Sequence, residues 1–158
     1  DSLEFKLAEN NLLITFHPVT LEKETSAHQM SELLAALETL TSTNLIFTMP
    51  NADPGSRALF EMIERFVADH ANARAYVSLG QLRYFSCIKH VDGVIGNSSS
   101  GIIETPTLNK PSINIGDRQG GRVTAKSTIT CNADRKVIIK TITRSKIYFG
   151  NASVARIN

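Results

Sequence analysis

The sequence lacks most of the features that mark specialised protein classes. It has only two cysteines, Cys87 and Cys131, and no CxxC pair, which argues against a disulfide scaffold or structural zinc and favours a reducing cytoplasm. The longest apolar run, Leu33–Leu37, is far shorter than the roughly 20 residues of a membrane span. The N-terminal stretch DSLEFKLAENN has no apolar signal-peptide core. We therefore expect a cytoplasmic protein without a membrane partner.

An excess of either charge is also missing. Seventeen basic and fifteen acidic residues leave a net charge of +2, too balanced for a nucleic-acid-binding surface. Hydrophobic residues make up 42% of the 158 residues, which suits one globular domain with a single sizeable core. We therefore expect residues 1–158 to form one domain.

Apolar segments alternate between strand-like and helix-like patterns along the chain. This alternation predicts an α/β fold, with βαβ units, a parallel sheet and helices on both faces. Ser26 is the expected N-cap of the first helix. The predicted strands are 11–16, 45–49, 73–78, 91–96, 111–115 and 127–130. The predicted helices are 25–40, 57–70, 82–89, a short helix ending near 105, and 133 to about 143.

Open parallel sheets bind ligands at the carboxyl ends of their strands. That rule selects four loops, at residues 17–20, 50–55, 97–101 and 116–122. Most residues suited to chemistry lie in these loops. His28, His70 and His90 lie in or beside helices away from them and are interpreted as surface residues, and Cys87 as buried filler in a helix.

The segment Gly96–Gly101 (GNSSSG), which we call the serine turn, joins a predicted strand to a predicted helix. Helix N-termini carry unsatisfied N–H groups and a partial positive charge, which together with the hydroxyls suit a phosphate. Glu104, one turn into the helix, is placed to accept hydrogen bonds from a ribose diol. An ordinary N-cap, with Glu104 serving only the helix dipole, is the alternative. The turn is neither a Walker loop nor a GxGxxG motif.

Three further segments carry weaker signals. The arginine loop, Gly116–Arg122 (GDRQGGR), offers guanidinium groups that suit phosphate oxygens, or is a solvated surface loop. His17 directly follows a strand and either binds phosphate, transfers a proton, or caps the next helix. The backbone of Ser78–Tyr84 either binds a flat base or is a plain connection. No pair of acidic residues in these loops suggests acid–base catalysis on a sugar.

Four segments, in this order and spacing, resemble the hydrolysing UDP-N-acetylglucosamine 2-epimerases. They are ITFHPVTLE (14–22), YVSLGQLRYFS (76–86), VIGNSSSGIIE (94–104) and PSINIGDRQGGR (111–122). The resemblance covers almost the whole chain, and the serine turn together with the arginine loop makes it specific. Enzymes of this family open bacterial sialic-acid and legionaminic-acid synthesis and form the epimerase half of the animal bifunctional enzyme.

The resemblance implies a GT-B architecture, in which two Rossmann-like domains enclose the active site. This chain looks like the C-terminal domain, which holds UDP or a UDP-N-acetylhexosamine. The N-terminal domain, which carries the family's proton-transferring carboxylates, is expected to be a missing partner, so the chain alone is expected to be inactive. No metal or redox cofactor is implied, and the full-length enzyme is expected to be a homo-oligomer.

The family's site residues match positions in this sequence. By resemblance, Ser98 and Ser99 bind the diphosphate and Glu104 holds the ribose hydroxyls. Arg118 lies beside the nucleotide sugar, and His17, the candidate catalytic residue, lies in the cleft near the diphosphate and sugar. The remaining UDP-binding candidates are Leu79, Gly80 and Gln81, around the uracil, and Arg122.

The family reaction removes UDP by anti elimination across C1 and C2 of the sugar. Water then adds to the glycal with inverted configuration at C2, and N-acetylmannosamine is released. Three alternatives remain. The first is a non-hydrolysing 2-epimerase, although that group typically has a His-Arg-Arg-Glu-Asn run at the position of residues 17–21. The second is a glycosyltransferase of the same architecture, and the third is a stand-alone nucleotide-binding module without catalysis.

Overall fold

A computed structural model of the chain describes residues 10–18, 23–50, 56–77, 79–98, 100–116 and 127–145. The strands are β1 (Asn10–Thr15), β2 (Thr43–Thr48), β3 (Ala73–Tyr76), β4 (Gly93–Gly96), β5 (Ser112–Ile115) and β6 (Thr128–Cys131). The helices are α1 (Lys23–Leu37), α2 (Arg57–Asp69), α3 (Gly80–His90), α4 (Ser100–Thr107) and α5 (Arg135–Arg144). Each corresponds to an element predicted from the sequence.

The six strands form one sheet in the order β3-β2-β1-β4-β5-β6. Every pairing is parallel. The chain moves outward from β1 to β3, returns to place β4 on the other side of β1, and then moves outward again to β6. The chain therefore leaves the neighbouring strands β1 and β4 in opposite directions along the sheet. A reversal of strand order of this kind opens a ligand crevice at the carboxyl edge of a parallel sheet.

Side-chain alternation along the strands divides the core between the two faces of the sheet. Leu12, Ile14 and Phe16 are buried in one cluster with residues of α1, α2 and α5. Leu13 is buried in the other cluster with Cys87 and Ile88 of α3. Apolar burial of this kind stabilises a fold by about 25 cal/mol per Å². The predicted α/β sheet with helices on both faces is therefore confirmed.

The predicted N-cap of the first helix is wrong. Helix α1 begins at Lys23, and Ser26 lies inside it with 1% of its surface exposed. Packing of this helix onto the sheet outweighs the local preference of serine for a helix start. Of the helices in the described part of the chain, none is long and apolar enough to cross a membrane.

Candidate functional site

The histidine after β1 and the serine turn after β4 lie side by side at the carboxyl edge of the sheet. Thr15, the last residue of β1, is in register with Gly96, the last residue of β4. His17 and Ser98 follow these two residues, and both are partly exposed. The fold therefore brings two of the predicted site residues together, although they are 81 positions apart in the sequence (98 − 17 = 81).

Asn97, at the centre of this edge, joins the two loops. Its Oδ1 accepts a hydrogen bond of 2.7 Å from the His17 backbone N–H, and its Nδ2 donates one of 2.8 Å to the His17 carbonyl oxygen. Its own backbone N–H donates to the carbonyl oxygen of Thr15 at 3.1 Å. Asn97 is completely buried. The sequence placed it in a ligand loop but gave it no role, and no local pattern reveals a bond to a residue 80 positions away.

Gly96 makes the close approach of the two strands possible. Its φ is +156°, and its backbone lies directly against the end of β1. Glycine tolerates this conformation and leaves the space that a side chain would fill. The glycine that opens the serine turn is therefore required by the backbone itself.

Helix α4 carries Glu104, and its end is fixed by a Schellman motif. Asn109 has a left-handed φ of +59°. The Lys110 N–H donates to the Thr105 carbonyl oxygen at 3.0 Å, and the Asn109 N–H donates to that of Pro106 at 2.9 Å. Thr105 is fully buried, whereas Glu104 is partly exposed. The short helix is thus held in place while the Glu104 carboxylate keeps access to solvent or a ligand.

The connection after β3 places the uracil-binding candidates on α3. Leu79 is buried, at 6% exposure, and Gly80 and Gln81 in the first turn of α3 are exposed. Helix α3 begins at Gly80, two residues before the predicted start, with the glycine at a φ of +70°. A left-handed residue at a helix start suits glycine because it carries no Cβ. The candidate segment Ser78–Tyr84 is therefore helical from Gly80 onwards.

Three predicted site residues lie outside the described residues: Ser99, Arg118 and Arg122. Their roles remain predictions. Gly116, which opens the arginine loop, is described; its φ is +78° and its N–H donates to the carbonyl oxygen of Cys131 at 2.9 Å. The arginine loop thus leaves from the same carboxyl edge of the sheet, at the end of β5.

Two buried side-chain oxygen atoms flank Gly96. Thr15 and Asn114 are both in register with Gly96, from either side of it, and alternation places their side chains on the same face of the sheet. The Thr15 Oγ1 and Asn114 Oδ1 atoms have no hydrogen-bond partner among the residues that the structure describes. Buried polar atoms are normally paired, with protein groups or ordered water. Polar groups of the sheet therefore lie next to the serine turn, a feature that the strand pattern did not reveal.

The other histidines occupy different places from the ligand loops, as expected. His28 and His90 are exposed on α1 and α3. His70 is less exposed than predicted, because its ring stacks on Phe66 at 4.0 Å and its Nδ1 lies 2.7 Å from the Phe66 carbonyl oxygen. His70 and His90 precede β3 and β4, so they lie towards the amino edge. Within the described ranges, no three His, Cys, Asp or Glu residues cluster in a way that could hold a metal ion.

Neither cysteine has the character of a nucleophile. Burial raises the pKa of the Cys87 thiol from 9.0 to about 11. Burial also raises the pKa of Cys131, against the smaller opposing effect of a hydrogen bond with Thr141. Thiol chemistry depends on the thiolate form. Both thiols therefore favour the protonated form in the folded protein, and Cys87 is buried inside α3, as predicted.

Comparison with known sequences finds a matching family and several relatives. The sequence model of the UDP-N-acetylglucosamine 2-epimerase family matches residues 2–154. A hydrolysing GDP/UDP-N,N'-diacetylbacillosamine 2-epimerase of Campylobacter jejuni is 40% identical over 129 residues, covering 81% of this chain and 34% of the relative. The polysialic acid biosynthesis protein P7 of Escherichia coli is 37% identical over 141 residues, covering 89% and 36%. The chain thus spans about a third of the length of these relatives.

Comparison with solved structures supports the fold. A Methanocaldococcus jannaschii UDP-GlcNAc 2-epimerase, in complex with UDP-GlcNAc and UDP, matches with a TM-score of 0.68 at 16% identity, covering 96% of this chain and 44% of that one. Staphylococcus aureus MnaA, in a co-structure with UDP, matches with a TM-score of 0.65 at 16% identity, covering 94% and 43%. At these identities the likeness establishes a shared Rossmann-like α/β fold.

Proposed function

The chain belongs to the UDP-N-acetylglucosamine 2-epimerase family, and on that premise we propose that it is the UDP-binding part of a hydrolysing member. The complete enzyme would convert UDP-N-acetylglucosamine and water into N-acetylmannosamine and UDP. The observation that carries the proposal is the junction of His17 with the serine turn, at the point where the strand order reverses. Nucleotides bind at this position in open α/β sheets.

The diphosphate would lie between His17 and the serine turn. His17 and Ser98 are partly exposed there, and α4 begins within the turn, at Ser100. Its first N–H groups have no partner within the helix and point towards the turn, so they suit phosphate oxygens. Ser99, Arg118 and Arg122 would add a hydroxyl and two guanidinium groups, which bind phosphate oxygens with fixed geometry.

The nucleoside would extend across the neighbouring loops. Glu104 would accept hydrogen bonds from the ribose hydroxyls, which requires the partly exposed carboxylate that α4 provides. The uracil would lie against Leu79, Gly80 and Gln81. Gly80 supports this placement because an added Cβ there would have no atom within 4 Å, so the backbone of the first turn of α3 is open to a flat base.

These groups would promote the elimination step by stabilising the leaving group. When the C1–O bond breaks, its electron pair stays on the β-phosphate of UDP. Donors already aimed at that phosphate stabilise the developing charge without having to reorganise. The proton taken from the sugar needs a base. Among the described residues, Glu104 is the one carboxylate assigned to the site, and its role is to bind ribose. By resemblance to the family, we expect the carboxylates for proton transfer to come from outside this domain.

The names of the relatives also bear on which sugar is attached to UDP. The Campylobacter jejuni relative, 40% identical, is named for GDP/UDP-N,N'-diacetylbacillosamine, and the Escherichia coli relative for polysialic acid synthesis. A UDP-linked N,N'-diacetyl sugar is therefore a second candidate substrate. The location we propose is the cytoplasm, since both described cysteines are free thiols.

Calorimetric titration of the chain with UDP, UDP-N-acetylglucosamine and GDP tests the proposal. We expect weak binding of both uridine nucleotides and weaker binding of GDP, because Leu79, Gly80 and Gln81 are expected to select the base. We also expect no release of N-acetylmannosamine from UDP-N-acetylglucosamine by the chain alone. Absence of UDP binding would contradict the nucleotide site, and sugar release would contradict the assignment of proton transfer to groups outside the domain.

A further inference from the structure

We propose that Asn97 is a positioning residue that orients His17 towards the diphosphate by tying the two ligand loops together. The inference rests on the proposed function, since it assigns a task to one residue of the same crevice. It starts from the observation that both polar atoms of the Asn97 side chain are bonded to the backbone of one residue, His17. The side chain is completely buried, so water does not compete for these bonds.

Through these two bonds, the Asn97 side chain pairs with the His17 backbone as a peptide group of a neighbouring strand would. The ladder between β1 and β4 ends at the pair Thr15 and Gly96. A side-chain amide carries the same donor and acceptor as a peptide group. With Oδ1 accepting from the His17 N–H and Nδ2 donating to the His17 carbonyl oxygen, the pairing continues beyond the last backbone pair. His17 is thereby fixed relative to β4, although it belongs to neither strand.

The junction between Asn97 and His17 lies next to the proposed phosphate site. The residues on either side of Asn97 are Gly96, which permits the close approach of the strands, and Ser98, a proposed phosphate ligand. The residue after His17 is Pro18, which has no N–H to donate. The two bonds to Asn97 therefore fix the His17 backbone relative to Ser98, and with it the direction of the Cα–Cβ bond that carries the imidazole.

The opposite end of the same strand pair provides an internal comparison. Asp92, just before β4, accepts a hydrogen bond of 2.7 Å from the Asn11 N–H through Oδ2, and its own N–H donates to the Asn11 carbonyl oxygen at 2.8 Å. This junction also closes the β1–β4 pair, but it lies at the amino edge, away from the ligand loops. Asp92 is thus a matched control that shares the structural role of Asn97 without its proximity to the ligand.

A double-mutant cycle between Asn97 and His17 tests the proposal. UDP and uridine binding are measured by calorimetry for the unchanged chain, Asn97→Ala, His17→Ala and the double variant. Loss of the paired bonds should weaken UDP binding about tenfold, with less than about a twofold change for uridine, which lacks phosphate. Because Asn97 acts through His17, the double variant should bind UDP within about threefold of His17→Ala. A full tenfold loss from Asn97→Ala when His17 is already absent would overturn the proposal, as would unchanged UDP binding in the single variant.

Two further variants separate positioning from general stability. Asp92→Ala should lower the melting temperature and leave UDP affinity unchanged; an equal loss of affinity there would overturn the proposal. If Asn97→Ala does not fold, Asn97→Asp keeps the shape and the acceptor but loses the donor. The added charge of Asn97→Asp affects UDP binding whether or not the imidazole is present. Positioning is therefore reported only by the part of the affinity loss that disappears in the His17→Ala background. An equal loss of affinity in both backgrounds would contradict the proposal. An unchanged chain that fails to bind UDP overturns the proposed function itself.

Discussion

A Cβ atom added to Gly96 would lie 1.8 Å from the carbonyl oxygen of Thr15. No side chain fits in that space, because the neighbouring atom belongs to the backbone of a central strand. The separation of β1 and β4 at the carboxyl edge is therefore set by the absence of a side chain at this position. The same contact determines how close the serine turn lies to His17.

Replacement of Gly96 by alanine should destabilise the protein severely. Either β1 or β4 must move, and we expect a loss of more than about 2 kcal/mol in the free energy of unfolding, measured by urea denaturation. Gly80→Ala is the control, because that glycine also has a positive φ but an added Cβ meets nothing within 4 Å. Its cost should be limited to backbone strain of roughly 1–2 kcal/mol. Equal losses in the two variants would contradict the steric explanation.

Glu104→Gln should weaken UDP binding while leaving stability nearly unchanged. The substitution keeps the shape but removes the charge from the acceptor that we propose for the ribose hydroxyls, at a cost of about 1.5–3 kcal/mol, or roughly 10- to 150-fold in affinity. The measurement is calorimetry with UDP, together with thermal unfolding. The control is Glu61→Gln, an exposed carboxylate 3.5 Å from Arg57 on α2, for which UDP affinity should not change. Unchanged affinity for Glu104→Gln would favour the helix-dipole interpretation instead.

Arg118→Ala should reduce the affinity for UDP more than that for uridine. A guanidinium group that binds the diphosphate acts only on the charged part of the ligand, so the expected loss is about tenfold or more for UDP and little for uridine. Calorimetry at two salt concentrations checks this, since the difference should shrink at high salt. Arg144→Ala, at the end of α5, serves as the control. Losses of the same size for both ligands would show that Arg118 does not bind phosphate.

Cys87 should resist alkylation in the folded protein. With its pKa raised to about 11, roughly one thiol in a thousand is ionised at pH 8, against about one in ten for an unperturbed cysteine. Mass spectrometry of the chain, folded and in urea, should show labelling of Cys87 mainly after unfolding. Because the folded pKa is raised, the thiol favours the folded state below pH 9 and loses this contribution as the pH rises towards 11. Cys87→Ala should therefore show a shallower decline in stability over that range, and rapid labelling of folded protein would contradict the prediction.

The order of elements and the burial of the first strand could be read from the sequence because both depend on local patterns. Leu12, Leu13 and Ile14 form an apolar run typical of a strand buried on both faces. Boundaries were less predictable where backbone geometry decided them. Gly80 looked like part of a loop because glycine favours turns, yet it begins α3 in a left-handed conformation. Ser26 looked like a helix start but is buried inside α1.

The site was predictable to the extent that it follows strand ends. His17 and Ser98 lie in loops that the carboxyl-edge rule selected, and Glu104 lies on the helix that follows the second of these loops. The pairing of Asn97 with His17 was not predictable, because it depends on which strands are neighbours, and the sequence does not state that β4 lies beside β1. The buried oxygens of Thr15 and Asn114, which have no partner in the described part of the chain, were not predictable for the same reason. Each residue occupies an ordinary strand position, and only the register places the two on either side of Gly96.

The strand order also has a consequence for how the chain folds during synthesis. Strand β1 pairs with β4 as well as β2, and Asn97 follows His17 by 80 residues. At about 5–20 residues per second, translation leaves one edge of β1 without its neighbour for roughly 4–16 seconds. During that interval the backbone of an apolar strand can pair with another chain. Substitutions between Gly93 and Asn97 are therefore expected to increase aggregation of the nascent protein, in addition to any effect on the nucleotide site.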